Sequence, residues 1–217
     1  MNKKIRTIVT ILIIIFILIF LIQTAYKTIR TGNNISKSNN DLIDNILNIS
    51  SYEAKIEVII NSNKTTNKYE LEQHYVAPNY SKQIVRSPKN IENLEIIYDA
   101  KNLEIKNTNL GLSKIYENYN YLNDNVLWLN YFSNNCNNNG YAIDELDNEI
   151  IINTNFEQYD LKGKLYINKK TNLPGKMELL DNSNQSKIYI EYKEIKLNNI
   201  QLNNIFAFST KDIKKEV

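Results

Sequence analysis

The sequence predicts a mainly β fold with two short helices: a strongly curved, open antiparallel sheet carrying a helix on its concave face, preceded by one transmembrane helix. Three observations predict it. Residues 8–22 are apolar apart from Thr10. From Ser51 onward the apolar residues recur with a period of two through about ten short segments. That period gives way to helical spacing in only two places, around residues 41–49 and 123–132.

Residues 1–30 are read as the anchor, with Ile8, Phe16 and Ile22 marking its length. Extended to residues 7–26 the apolar stretch makes about 30 Å of helix at ~1.5 Å per residue, which matches the hydrocarbon core of a bilayer. Lys3, Lys4, Arg6 and the terminal amine precede it, and Lys27 and Arg30 follow. The excess in front orients the N-terminus inward and the rest of the chain outward. A cleaved signal peptide is the alternative reading. It requires small residues two apart before the cut, and Gln23, Thr24 and Ala25 fit that pattern poorly. Residues 31–40 are polar, with Gly, Ser and Asn, and read as a flexible linker. Residues 41–217 form the extracytoplasmic domain.

Within that domain, apolar residues at 42, 43, 46, 47 and 49 predict a short amphipathic helix. Tyr52, Ala54, Ile56, Val58 and Ile60 then alternate with polar neighbours, as do Tyr69, Leu71 and Tyr75 beyond the polar turn 61–67. Further strands are expected at 81–86, 94–98, 103–107 and 112–116, with a hairpin turn over 99–102. Asn123 or Asp124 is placed to cap a buried helix through Val126, Leu127, Trp128, Leu129, Tyr131 and Phe132, with 134–140 as a polar loop. Strands resume at 149–154, 159–167, 177–180 and 187–193, and Ile205–Phe208 is placed to close the sheet edge. Asn168–Asn172 reads as a turn, with Pro174 between strand segments.

Charge narrows the functional classes. The first thirty residues hold five bases and no acid, so the net charge of +2 leaves 21 bases against 24 acids in the remainder. A mildly acidic domain is unsuited to nucleic acid. A single cysteine, Cys136, excludes an intrachain disulfide and a thiolate metal cluster. Glu70, Glu72 and His74 share one strand face at a spacing a metal could use, but it is the face opposite Tyr69 and Leu71 and reads as solvated. Cys136 has no activating neighbour in sequence. No phosphate-cradling glycine loop, nucleophile elbow or zinc-protease helix occurs. The reading is therefore non-enzymatic, with no catalytic residue, metal or cofactor. Tyr116, Tyr119 and Tyr121 cluster just before Trp128. These four are the candidate interface or groove residues, because tyrosine and tryptophan combine large apolar area with a polar tip. Core packing is the alternative role for them.

Two sets of motifs resemble a known family. Residues 163–174, GKLYINKKTNLP, followed by Lys176-Met-Glu, resemble a signature of LolA-like lipoprotein carriers, in which a strand ends in an Asp- or Asn-led turn and resumes after Leu-Pro. The late IFAF at 205–208 resembles their C-terminal strand. Residues 96–107, IIYDAKNLEIKN, and 112–119, LSKIYENY, resemble the clostridial germination protein GerS and its relatives. The resemblance covers about residues 41–210. It implies a LolA-like half-barrel and a partner of a spore-cortex peptidoglycan amidase. GerS relatives are mostly lipoproteins, whereas this chain lacks a lipidated cysteine and offers an apolar helix instead. The alternative function, implied by the LolA resemblance, is a cup that shelters an acyl chain in its concave apolar face.

Overall fold

The computed structural model describes residues 37–62, 64–119 and 125–199. The expected anchor, with Ile8, Phe16 and Ile22, and the expected edge strand at Ile205–Phe208 lie outside the described residues. Among the described residues no helix is long and apolar enough to cross a membrane.

Among the described residues, helix α1 (Lys37–Leu47) leads into eleven antiparallel strands: β1 (Ser51–Asn61), β2 (Thr66–Val76), β3 (Tyr80–Ser87), β4 (Leu94–Asp99), β5 (Leu103–Asn107), β6 (Leu112–Tyr116), β7 (Ala142–Glu145), β8 (Glu149–Phe156), β9 (Leu161–Asn168), β10 (Leu173–Leu180) and β11 (Ser186–Leu197). Helix α2 (Leu129–Asn139) falls between β6 and β7. All the strands belong to one open sheet in the order β6-β5-β4-β3-β2-β1-β11-β10-β9-β8-β7. It is two meanders, β1–β6 and β7–β11, joined where β11 returns to β1. Every pairing except β1–β11 is between neighbours in sequence, the connection most easily formed. Asn198 seals the junction: its N–H donates to the Ser51 carbonyl at 2.7 Å and its Oδ1 accepts from the Ser50 N–H at 2.9 Å.

The two-residue period decides which face is buried. Tyr52, Ala54, Ile56 and Val58 of β1 and Leu165 and Ile167 of β9 point to one face and are buried. Leu165 sits in register with Ile152 and Met177, and all three are fully buried. The opposite face is laced with exposed or half-exposed ion pairs, including Lys55–Glu194 at 2.8 Å, Lys68–Glu57 at 3.0 Å and Lys82–Glu95 at 3.0 Å. Such surface pairs add little to stability and do not organise a core. Both helices cover the buried face. Ile43, Ile46 and Leu47 of α1 join Leu129, Phe132 and Cys136 of α2 in the same apolar cluster. Ser133 Oγ lies 3.0 Å from the Ile46 carbonyl and Asn137 Nδ2 donates to that of Leu47 at 3.1 Å, so α2 holds the C-terminal end of α1.

Several expectations are corrected. Helix α1 begins at Lys37 and takes in the last four residues of the segment read as linker. Helix α2 starts at Leu129, not near Asn123, and residues 134–139 are helical rather than a loop. The first-turn acceptor comes from the sheet: the Leu129 N–H donates to the hydroxyl of Tyr52, 3.2 Å away, while Trp128 at the cap position makes no side-chain cap. Asparagine is a weak helix former, and tertiary contacts override it. Asn135 Nδ2 donates to Thr154 Oγ1 and to the Asn155 carbonyl, both at 2.9 Å. Strand β7 was not foreseen. Pro174 lies inside β10, at the register shift between Pro174 and Lys176, where a missing N–H is tolerated. The Asn168–Asn172 turn is present. Asn168 Oδ1 accepts from the N–H groups of Lys170 and Thr171, and Asn172 takes a positive φ of 59°.

Candidate functional site

The crossing from β6 to β7 must traverse the sheet from one edge to the other, and this places the candidate residues. Trp128, within that crossing at the cap position of α2, is fully buried, its ring centroid 6.3 Å from that of Tyr52. Its neighbours form a polar strut. Tyr52 Oη donates to Gln73 Oε1 at 3.2 Å, and Gln73 Nε2 donates to Gln83 Oε1 at 3.0 Å and to the Leu127 carbonyl at 3.4 Å. Trp128 is thus a core residue that fixes α2 on β1–β3, and it stands apart from the tyrosines it follows in sequence.

Tyr116 and Tyr119 lie at the β6 edge, and Tyr121 lies outside the described residues. Strand β6 pairs with β5 in register from Leu103↔Tyr116 to Asn107↔Leu112 and, among the described residues, is the last strand of the sheet on that side. All five of its residues are exposed. Leu110 and Leu112 are 62% exposed, Ile115 60%, Tyr119 48% and Tyr116 37%, so most of the exposed large apolar side chains of the described chain gather here. The alternation puts Leu112 and Tyr116 on the face that carries the core and Ile115 on the other. The rings of Tyr116 and Tyr119 meet with centroids 6.1 Å apart, and Lys114 Nζ stands 4.7 Å from the Tyr116 ring centroid. The Tyr119 N–H donates to the Lys101 carbonyl at 3.0 Å, which holds the chain beyond β6 against the β4–β5 turn. Such an edge presents backbone donors and acceptors with apolar side chains above and below them, the geometry a sheet offers to an added strand. Sequence reasoning singled out the tyrosines but missed Leu110, Leu112 and Ile115. Their alternation reads as an ordinary half-buried strand, and only its position at the end of the sheet exposes them.

The weighed chemical groups fall elsewhere. His74 is half-buried on the ion-paired face, opposite Glu53 and Lys82 in the register. Desolvation there pushes its imidazole below its ordinary value. Glu72 beside it pairs with Arg86. Among the described residues no group of three or more His, Cys, Asp or Glu side chains is placed to hold a metal. Cys136 is not in a loop but inside α2, 1% exposed, and burial pushes its thiol up to about 12.

Together these features define a class of protein: one open antiparallel sheet, two helices on one face, and an apolar edge strand beyond the packed core. Within that class the chain belongs to the YdcC-like sporulation protein family, whose model matches residues 6–206. Among curated proteins no sequence matches it. Solved structures resembling it include a conserved protein from Thermus thermophilus (11% identity, 77% of this chain and 92% of that one, TM-score 0.47). They also include a chain from the CwlD amidase–GerS lipoprotein complex of Clostridioides difficile (24% identity, 75% and 96%, TM-score 0.43). A third is a LolA superfamily protein from Nitrosomonas europaea (11% identity, 75% and 94%, TM-score 0.39).

Proposed function

We propose that the chain is a membrane-anchored, non-enzymatic protein of the spore envelope that acts in germination by binding and regulating a cortex peptidoglycan amidase. Membership of a sporulation family supplies the process. The resemblance of residues 96–107 and 112–119 to GerS relatives supplies the partner class. The observation that carries the reading is the β6 edge, because those two stretches are β4–β6 themselves and include the exposed Leu112, Ile115, Tyr116 and Tyr119. In this reading the sheet is a half-barrel. Gln73 of β2 meets Leu127, and Thr154 of β8 meets Asn135. On a flat sheet those strands lie five spacings apart, about 24 Å at ~4.8 Å each, whereas the segment 127–135, extended at Trp128 and helical from Leu129, spans only on the order of 15 Å. A sheet curled around α2 brings both within reach. Residues 7–26 hold the domain outside the cytoplasm, next to an amidase acting on the wall.

The test is a pull-down from sporulating cells with the full-length protein, followed by an amidase assay. Retention of an amidase whose activity changes on binding supports the reading, and Ile115→Lys with Tyr116→Asp should abolish retention. Hydrolysis of peptidoglycan by the purified protein alone would overturn the non-enzymatic part.

A second reading has an observation of its own. The core-side face of β4–β6 carries Leu94, Ile96 and Ile105 only half-buried, continuous with exposed Leu112 and Tyr116. An acyl chain lying there would make the domain a lipid-sheltering cup. It could not lie beneath α2, where Trp128, Leu129 and Phe132 already fill the space with no exposure. Lipid in organic extracts of the purified protein, with amidase activity untouched, would favour the cup.

A further inference from the structure

An Asn-rich chain scatters amides over its whole surface, so an amide cluster matters only where the fold shapes and pins it. One place meets that condition. A half-open cleft of about 550 Å³ lies between the polar side of α2 and the short helical turn Glu157–Tyr159 that joins β8 to β9. Its lining includes Asn134, Asn135, Asn138 and Asn139 from α2, spaced so that they share one side of the helix. Tyr131, one turn earlier in α2, lines it too, and Glu157 and Gln158 of the turn close the opposite wall.

The wall is rigid. Asn135 is held by Thr154 and the Asn155 carbonyl, and it accepts from Asn139 Nδ2 at 2.8 Å. Thr154 Oγ1 donates in turn to the Gly140 carbonyl at 2.9 Å. The Tyr131 ring stacks on Phe156 with 8° between planes, and its hydroxyl accepts from Gln158 Nε2. The side-chain amides of Asn134 and Asn138 make no hydrogen bond among the described residues and stand exposed on the cleft wall. They are the amides left to meet a ligand. An amide carries both an acceptor and two donors, matching a hydroxyl, which is also both. Glu157 is the sole charged residue of the lining and there is no base, so the cleft repels phosphates and other polyanions. Its volume falls within the range of small-ligand sites, ~300–1,000 Å³.

The geometry points to a binding site for an uncharged glycan, a hydroxyl- and acetamido-bearing sugar chain, in the amide-lined cleft between α2 and the β8–β9 turn. It does not rest on the partner reading above, since it uses the other half of the sheet. Pre-set amides are the means by which such a site limits the ordering cost of binding a flexible chain.

The experiment is calorimetric titration of the full-length protein in detergent with tetra-N-acetylchitotetraose, with a polyphosphate of similar length as the contrasting probe. Saturable binding of the sugar and none of the polyphosphate is expected. Asn134→Ala combined with Asn138→Ala should weaken it by about tenfold or more, with the thermal midpoint unchanged because both side chains are exposed. Asn138→Asp, which keeps the size and removes the donors, should weaken it in the same direction. A wild-type protein with no saturable sugar binding, or variants that bind as tightly as wild type, would overturn the assignment.

Discussion

Leu165 and Lys164 are adjacent in the chain and opposite in environment, and the contrast tests the register directly. Leu165 is fully buried between Ile152 and Met177, so Leu165→Asp places a carboxylate among aliphatic side chains. It should cost several kcal/mol, comparable with the ~5–15 kcal/mol that holds a domain together. Lys164 lies on the other face opposite Glu178, and Lys164→Asp should cost only the fraction of a kcal/mol typical of a like-charge cross-strand pair. Equal shifts in thermal midpoint for the two would refute the register. Gly163 in the same strand is a position where glycine is required by space. A Cβ there would stand 2.5 Å from Phe156 Cε2 and 3.0 Å from Phe132 Cε2. Gly163→Ala should therefore destabilise by about 1–3 kcal/mol through overpacking. Cys136 gives a pH signature. Its folded thiol titrates near 12, above its ordinary value of 9.0, so the unfolded chain loses that proton first. Stability should fall by about 1.4 kcal/mol per pH unit between those values. Comparing alkaline denaturation of wild type and Cys136→Ala isolates the contribution. The folded thiol should also resist alkylating reagents until the protein is denatured.

Helix α2 depends on another element for its start. Its first N–H is met by Tyr52 of β1, and Tyr52 is tied to Gln73 of β2. Tyr52→Phe keeps the ring against Trp128 but strips the Leu129 N–H and Gln73 Oε1 of their shared partner. The expected cost is about 1–3 kcal/mol, the penalty for unsatisfied buried polar groups, read as a lower midpoint in chemical denaturation. Strand β6 behaves in the opposite way. Its side chains are exposed, so Leu112→Lys or Ile115→Lys should leave the midpoint within about 0.5 kcal/mol of wild type. If β6 is the partner edge, those same changes should sharply reduce amidase retention. A large loss of stability instead would mean that the edge is covered within the chain itself.

At the scale of the whole molecule, anchor and domain work as a pair if the proposal holds. Confinement to one membrane raises the effective concentration of partners, so a weak edge contact can suffice. Residues 37–217 released from the anchor should then complement a deletion strain poorly, and an unrelated single-pass helix in the same orientation should restore function. Spore germination assays on the two strains decide this.

Most of the strands and the face each one buries were legible because a half-buried strand writes its environment into every second residue; the four-residue β7 was too short to do so. Thus β5 and β6 are found at 103–107 and 112–116, as the alternation placed them. The Asn-led turn at 168–172 was legible for a local reason too, since its hydrogen bonds lie within four residues. The family was legible in short motifs. That a helix lies here was legible too, but its bounds were not, because the first N–H of α2 is met by Tyr52, 77 residues away, and its Asn-rich second half is held by Thr154 and Leu47. The roles of Trp128 and Tyr116 separated for the same reason. Both sit in aromatic-rich stretches near the middle of the chain, yet one is buried against Tyr52 at the start of α2 and the other lies on the last described strand of the sheet. Periodicity shows that a residue has a buried face. Only the tertiary structure decides whether anything is there to cover it, because a sheet edge and a sheet centre share the same local backbone and differ only in what the rest of the chain places beside them.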